Sequence, residues 1–250
     1  MRILISNDDG INAPGFAVIE RIAESLSDDV WVIAPETEQS GAGHSLTLHR
    51  PLRVRHIDDR RMAVDGTPTD CVLLAINKLI PGERPDLMLS GVNRGSNIAD
   101  DVTYSGTIAA AMEATILGVP AISMSQDCDD RDNIRWRTVE AHAAGLISRL
   151  IDAGWPDNVL INLNFPDVEP DDVAGVEACR QGQYKVGDAL IERLDPRGRP
   201  YYWIGEMRNT ERKLAGTDAA AIERGVISVT PLCLDLTHEP TLIKLGDALK

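Results

Sequence analysis

No stretch of the sequence reaches the ~18 uninterrupted apolar residues that a membrane-spanning helix needs, so no membrane span is expected. Cysteine is scarce: Cys71, Cys128, Cys179 and Cys233 are the four in 250 residues, and each lies more than fifty residues from the next. No CxxC pair and no neighbouring histidines accompany them, which argues against a structural zinc site. Buried free thiols in a reducing compartment are the expected state. The five histidines, His44, His49, His56, His142 and His238, show no ligand spacing. Positive charge is short as well: 25 Lys and Arg against 39 Asp and Glu leave a net charge of −14. A surface that acidic repels long nucleic acids and anionic membranes. A small phosphorylated substrate stays open if a bound cation or local donors reverse the sign within its site. After Arg2 the apolar run lasts only three residues, so no signal peptide is read and a cytoplasmic protein is expected.

What is present suffices for a large core. Hydrophobic residues make up 43% of the 250, enough for one domain or a domain with an appendage. Up to about residue 165 strand and helix patterns alternate. Strands are expected at Arg2–Ser6, Val30–Ala34, Leu46–Ile57, Met62–Val64, Asp86–Ser90, Ala121–Ser125 and Val159–Phe165. Helices are expected at Gly15–Leu26, with Phe16, Ile19, Ile22, Ala23 and Leu26 on one face, and at Pro68–Leu79, capped by Thr67. Ser105–Leu117, with Ile108, Ala111, Met112, Thr115 and Ile116 inward, and Arg137–Ile151 complete the set. Repeated βα units with continuous apolar strands predict an α/β fold, a mostly parallel sheet covered on both faces. After Pro166 the character changes. A long hairpin, Tyr184–Gly205, turns at "DPRGRP"; "GVISVTPL" is a strand and Thr241–Leu249 a closing helix. The chain thus reads as a single domain, 1–250: a core over 1–165, and an extension over 166–250 too small for its own core.

In an open parallel sheet, ligands bind at the carboxyl ends of the strands, near a switch in strand order. The first strand ends in "SNDDG", with Asp8 and Asp9 adjacent. The second leads to a loop containing Ser40-Gly41. The "DLMLS" strand runs into Gly91-Val92-Asn93, with Asn97 beyond. Two carboxylates, a hydroxyl and an amide oxygen form a hard oxygen donor set that suits Mg²⁺ or Mn²⁺ rather than zinc. Adjacent side chains on a regular strand point to opposite faces. Asp8 and Asp9 therefore converge only if the strand has already ended, which Gly10 and the "NAPG" turn allow. Two close anions repel and raise a pKa unless a cation joins them. Such an ion also positions phosphate and lowers the pKa of a bound water. A second feature, Ser105-Gly106-Thr107, opens an alanine-rich helix, whose free N–H groups and dipole suit an anion. Simple capping by Ser105 is the plainer reading of it. The arginine-rich run 49–61 reads as a half-exposed strand with Arg53 and Arg55 in water. His44, in the Ser40 loop, is a candidate general acid or substrate contact, and His142 is read as structural.

Taken together, "RILISNDDGINAPG", "VIAPETEQSGAGHSLTL", "SGVNRGSNIADDVTYSGTIAAAMEA", "DPRGRPYYWIG" and "GTDAAAIERGVISVTPL" resemble the SurE family of stationary-phase survival proteins, over essentially the whole chain and in order. The resemblance implies a Rossmann-like core with an extension exchanged between subunits, giving a homodimer or homotetramer. It implies a metal-dependent 5′-nucleotidase acting on nucleoside monophosphates, with 3′-nucleotides and short polyphosphate as further substrates. Carried over residue by residue, one Mg²⁺ or Mn²⁺ per subunit falls to Asp8, Asp9, Ser40 and Asn93. Asn97, Ser105, Gly106 and Thr107 fall beside the phosphate, and the resemblance gives His44 no role. Asp8 and Asp9 are also the candidate catalytic residues, with Asp9 the candidate for proton transfer. Water and an aspartate both remain open as nucleophile.

Rival readings fare worse. A phospho-accepting receiver module shares an acidic pair after the first strand, and Asp65 imitates its acceptor. It also needs a lysine after the fifth strand, where this chain has Gln126-Asp127. A dinucleotide-dependent oxidoreductase needs GxGxxG after the first strand, and "NDDGINAPG" does not supply it. A haloacid-dehalogenase-type phosphatase spaces its aspartates as DxD.

Overall fold

A computed structural model describes residues 1–183, 185–209 and 214–250, with the backbone alone at 185–189 and 205–209. The chain opens with β1 (Arg2–Ser6), α1 (Pro14–Leu26) and β2 (Asp29–Pro35). β3 (Val54–His56) and β4 (Arg61–Val64) follow, then α2 (Pro68–Leu74), which continues as a wider helical turn to Leu79. β5 (Leu87–Arg94), α3 (Gly106–Ile116), β6 (Ala121–Gln126), α4 (Trp136–Ala153) and β7 (Val159–Phe165) complete the alternating part. Beyond it lie β8 (Gly175–Ala178), β9 (Lys185–Leu194), β10 (Pro200–Asn209), α5 (Asp218–Glu223), β11 (Val226–Cys233) and α6 (Glu239–Ala248).

Nine strands form one sheet in the order β3-β4-β2-β1-β5-β6-β7-β11-β8. Pairing is parallel except for β3 with β4 and β11 with β7. The order reverses beside β1: β2 lies on one side and β5 on the other, so the crevice above β1 and β5 is the switch point where ligands bind. Alternation along β1 sends Ile3 and Ile5 into the core beneath α1 and α4, and Leu4 into the core beneath α2 and α3. Both faces are covered, and the fold is α/β in three layers.

Several expectations need correction. Leu46–Arg53 is not strand: β3 is three residues long, and the chain before it is a loop. That loop is anchored by side chains, since Asp70 accepts the Thr47 N–H at 3.0 Å and the Thr47 hydroxyl at 2.6 Å. Asp70 also completes a capping box with Thr67 at the start of α2. Ile116 is 58% exposed, whereas Ala110, Glu113 and Ala114 are buried. An alanine-rich helix lets the sheet and α2 approach from nearly all sides, so its buried surface is not a stripe. Cys71 and Cys179 are buried free thiols, but Cys128 is half-buried and Cys233 exposed. Short β8 and α5 gave no periodic signal. The hairpin exists as β9–β10, while its expected first residue, Tyr184, lies outside the described residues. Among the described residues no helix is long and apolar enough to cross a membrane.

Candidate active site

A cleft of about 1180 Å³ opens over the carboxyl ends of β1, β5 and β6. Asp8, Asp9, Ser40, Asn93, Asn97 and Ser105 all line it. Each arrives by a different local device. β1 stops at Ser6, so Asp8 and Asp9 stand on a bend and leave the strand's two-sided alternation. The loop after β2 is tied to this bend by the Gln39 N–H, which donates to the Asp8 carbonyl at 2.8 Å. This brings Ser40 to the rim, where its hydroxyl donates to Glu38 Oε1 at 2.8 Å. The register of β5 against β6 shifts between Ser90 and Asn93. Gly91 permits the shift: its φ is +130°, and a Cβ there would lie 2.3 Å from the Met124 carbonyl oxygen. Asn93 thereby turns into the cleft. Its Nδ2 donates to the Gly95 carbonyl at 2.7 Å, leaving Oδ1 for another partner.

Asp8 is 5% exposed and is held from behind by α3. The Thr107 hydroxyl donates to its Oδ1, and Gly106 lets the helix come this close: a Cβ at 106 would lie 2.6 Å from Asp8 Cβ and 2.8 Å from Oδ2. Burial pushes the Asp8 carboxyl above its ordinary range, while the hydroxyl and backbone N–H of Thr107 pull it back. Asp9 is pushed up to about 6, first by burial and then by the charge of Asp8; the Arg94 backbone N–H opposes this. Glu38 adds to the repulsion at both. Ser105 caps α3, its Oγ accepting the Ile108 N–H at 3.1 Å. Gly106 and Thr107 are buried behind Asp8 rather than along the cleft.

His44 does not join the cleft. Its Nε2 sits 2.9 Å from Glu113 Oε2, where the pair pins the Ser40 loop to α3. His142 meets the Pro170 carbonyl at 2.9 Å, a structural contact. The arginine run is largely spent on ion pairs, Arg50 with Asp65, Arg55 with Glu36, Arg60 with Asp29 and Arg61 with Glu20. Sequence reading missed Glu38, Arg94, Arg131 and Asp127 in the cleft wall. Glu38 lies two residues before Ser40 and Arg94 directly follows Asn93, so adjacency to the motifs was the available signal. Burial, together with the charges of Asp167 and Asp129, also raises the Asp127 carboxyl, against a hydrogen bond from Ser96.

Among the described residues no three His, Cys, Asp or Glu side chains converge as a metal site. A cation seated on the Asp8 and Asp9 carboxylates would complete its shell with neutral oxygens. The donor set fits: the Asp8 and Asp9 carboxylates repel, Asn93 Oδ1 is available, and the Ser40 oxygen keeps lone pairs while donating to Glu38. These are hard ligands for Mg²⁺ or Mn²⁺.

A family model described as Survival protein SurE matches residues 3–188, about three quarters of the chain. The chain belongs to the SurE family. A curated SurE relative from Paramagnetospirillum magneticum, named 5′-nucleotidase SurE, is 60% identical over 99% of this chain and 95% of its own. One of the same name from Brucella canis is 56% identical, over 100% of this chain and 98% of its own. The crystal structure of the SurE protein from Aquifex aeolicus superposes with a TM-score of 0.87 at 36% identity, covering 100% of both chains. The SurE fold is thus shared along the whole length.

Proposed function

We propose that this chain is a divalent-cation-dependent phosphomonoesterase that hydrolyses nucleoside 5′-monophosphates to nucleoside and phosphate. Nucleoside 3′-monophosphates and short polyphosphate are further substrates in this reading. The observation that carries it is the carboxylate pair at the switch point, two repelling groups held side by side, one fixed by the start of α3. The names of the two curated relatives support the substrate class.

In this reading Asp8, Asp9, Ser40 and Asn93 hold one Mg²⁺ or Mn²⁺, which when bound supplies positive charge for phosphate and acidifies water. Asn97 and Ser105 hold phosphate oxygens, and Gly106 and Thr107 contribute the positive end of α3. Thr107 orients Asp8 and opposes the rise that burial imposes on its carboxyl. Asp9, nearer solvent than Asp8, is the candidate to move a proton in this reading. The receiver alternative is weaker, because Asp65 follows β4, which β2 separates from β1, and does not line the cleft; it accepts the Arg53 N–H at 2.6 Å and pairs with Arg50.

The chain works as one domain in a homodimer or homotetramer, and in the cytoplasm. Apolar side chains on the hairpin, Leu190 at 68% exposure, Trp203 at 63% and Ile204 at 73%, support self-association, as does α6, which buries no residue. Light scattering tests the assembly. Phosphate release from nucleoside monophosphates and polyphosphate, with Mn²⁺, Mg²⁺ or EDTA, tests the activity. Release unaffected by thorough chelation would sink the metal-dependent reading.

A further inference from the structure

The cleft segment that carries Asn97 is gripped from two sides. From the central sheet, Asn164 Oδ1 accepts the Asn97 N–H at 2.7 Å, and Asn162 Nδ2 and Asn164 Nδ2 donate to the Asn97 carbonyl at 2.8 and 3.2 Å. Asn97 Nδ2 donates to Ser125 Oγ at 2.9 Å. From the extension, Asp218 Oδ2 accepts the Ala99 N–H at 3.0 Å and Gln181 Nε2 donates to the Ala99 carbonyl at 2.8 Å. The other Asp218 oxygen accepts the N–H groups of Gly182 and Ala219, each at 2.8 Å. Asp218 is fully buried. It has no arginine or lysine partner in these contacts, only backbone donors.

The residue it holds is unusual. Ala99 is the only non-glycine residue with positive φ, 51°, among those described, a conformation that opposes its Cβ. Its side chain packs with Ile98, Ala219 and Ile222, so α5 seats both its backbone and its methyl group. Ala99 opens a short helical turn through Thr103. Two residues later Ser105 caps α3, whose Thr107 fixes Asp8. Position at Ala99 is therefore passed in one direction to Asn97 and in the other to the helix start behind Asp8.

We infer that Asp218 is a positioning residue for catalysis: it holds Ala99 in its left-handed conformation, and so fixes Asn97 and the start of α3 relative to Asp8. The inference rests on the nucleotidase reading for what Asn97 and Asp8 then do. A carboxylate is required, because both oxygens accept N–H groups. An amide in either orientation would turn an NH₂ toward a backbone donor. Misplacing groups that hold the reacting phosphate lowers turnover more than it lowers binding.

The test compares the full-length wild type, Asp218→Asn and Asp218→Asn/Ala99→Gly, with Mn²⁺ and a nucleoside 5′-monophosphate. Asp218→Asn is expected to lower kcat about tenfold or more, with KM within about threefold. Amide hydrogen exchange is expected to speed up over 97–105 and not over β1. Glycine at 99 accepts the left-handed conformation without the clamp, so the double variant is expected to recover part of kcat. A residue that only stabilises the fold would lower the unfolding temperature and leave kcat and the local exchange pattern unchanged, and that result overturns the inference. If Asp218→Asn does not fold, Gln181→Ala carries the same expectation at smaller size, since it removes only the donor to the Ala99 carbonyl. If the wild type releases no phosphate, the nucleotidase reading fails alone; the exchange pattern then decides whether Asp218 holds the segment.

Discussion

Replacing Asp9 by asparagine should make the metal-free protein more stable at neutral pH, although it removes a central site residue. The Asp9 carboxyl is raised from 3.8 to about 6, so the folded state binds its proton more tightly than the unfolded state does. For a raised acid, the favourable contribution is full below the unfolded pKa and is lost as pH rises through the folded one. Above about pH 6, ionised Asp9 is therefore a net cost. The rise of about 2.2 units corresponds to about 3 kcal/mol, an upper bound because Asp9 is partly exposed. Asparagine forfeits part of the accepted Arg94 N–H, about 1 kcal/mol. A net gain of about 2 kcal/mol at pH 7.5, or roughly 4–8 °C in unfolding midpoint for a chain of this size, follows. Calorimetry in EDTA at pH 7.5 and at pH 4 measures it. Most of the gain should be lost at pH 4, where the folded carboxyl is protonated and the unfolded one is about half protonated. With saturating Mn²⁺ the order should reverse, because ligation at about a hundredfold over Kd adds about 2.7 kcal/mol to the wild type only. The reasoning is refuted if the variant is destabilised in EDTA equally at both pH values, or if Mn²⁺ raises both midpoints alike.

Gly106→Ala should cost about 1–3 kcal/mol and at least tenfold in kcat/KM, since its Cβ meets Asp8 at 2.6 Å; chemical denaturation and steady-state kinetics measure the two. Thr107→Val removes the hydroxyl that lowers the Asp8 pKa, so the acid limb of the pH–activity profile should move to higher pH, with smaller change at pH 8–9. Asp70→Ala, which breaks the capping box and frees Thr47, should cost about 2–4 kcal/mol. It should also speed proteolysis across 40–53, read by limited digestion.

Much of this molecule was legible in its sequence because strong periods and strand ends carry it. The βα alternation, β7 at Val159–Phe165 and the Thr67 cap follow from local chemistry. Asp8, Asp9, Ser40, Asn93, Asn97 and Ser105 reach one cleft because each lies in the last residues of a strand, follows a strand or caps a helix at the same edge. What escaped was non-local. Loop 46–53 mimics a strand by alternation, yet Asp70, 23 residues beyond Thr47 in the chain, holds it open. Ile116 continues a helical stripe, but small alanines let α3 bury other faces instead. His44 looked like a site residue by adjacency to Ser40, whereas Glu113 claims it. Glu38 and Arg94 carry no motif, and Asp218 sits on a helix too short to announce itself.

The most direct test of the cation seat is crystallographic. Crystals soaked in Mn²⁺ should give one anomalous peak per chain in the cleft, about 2 Å from oxygens of Asp8 and Asp9, with Ser40 and Asn93 completing the protein ligands. Asp8→Asn crystals under the same soak should lose it. A cleft without a peak, or a peak held instead by Asp127, Asp129 and Asp167, would contradict the account.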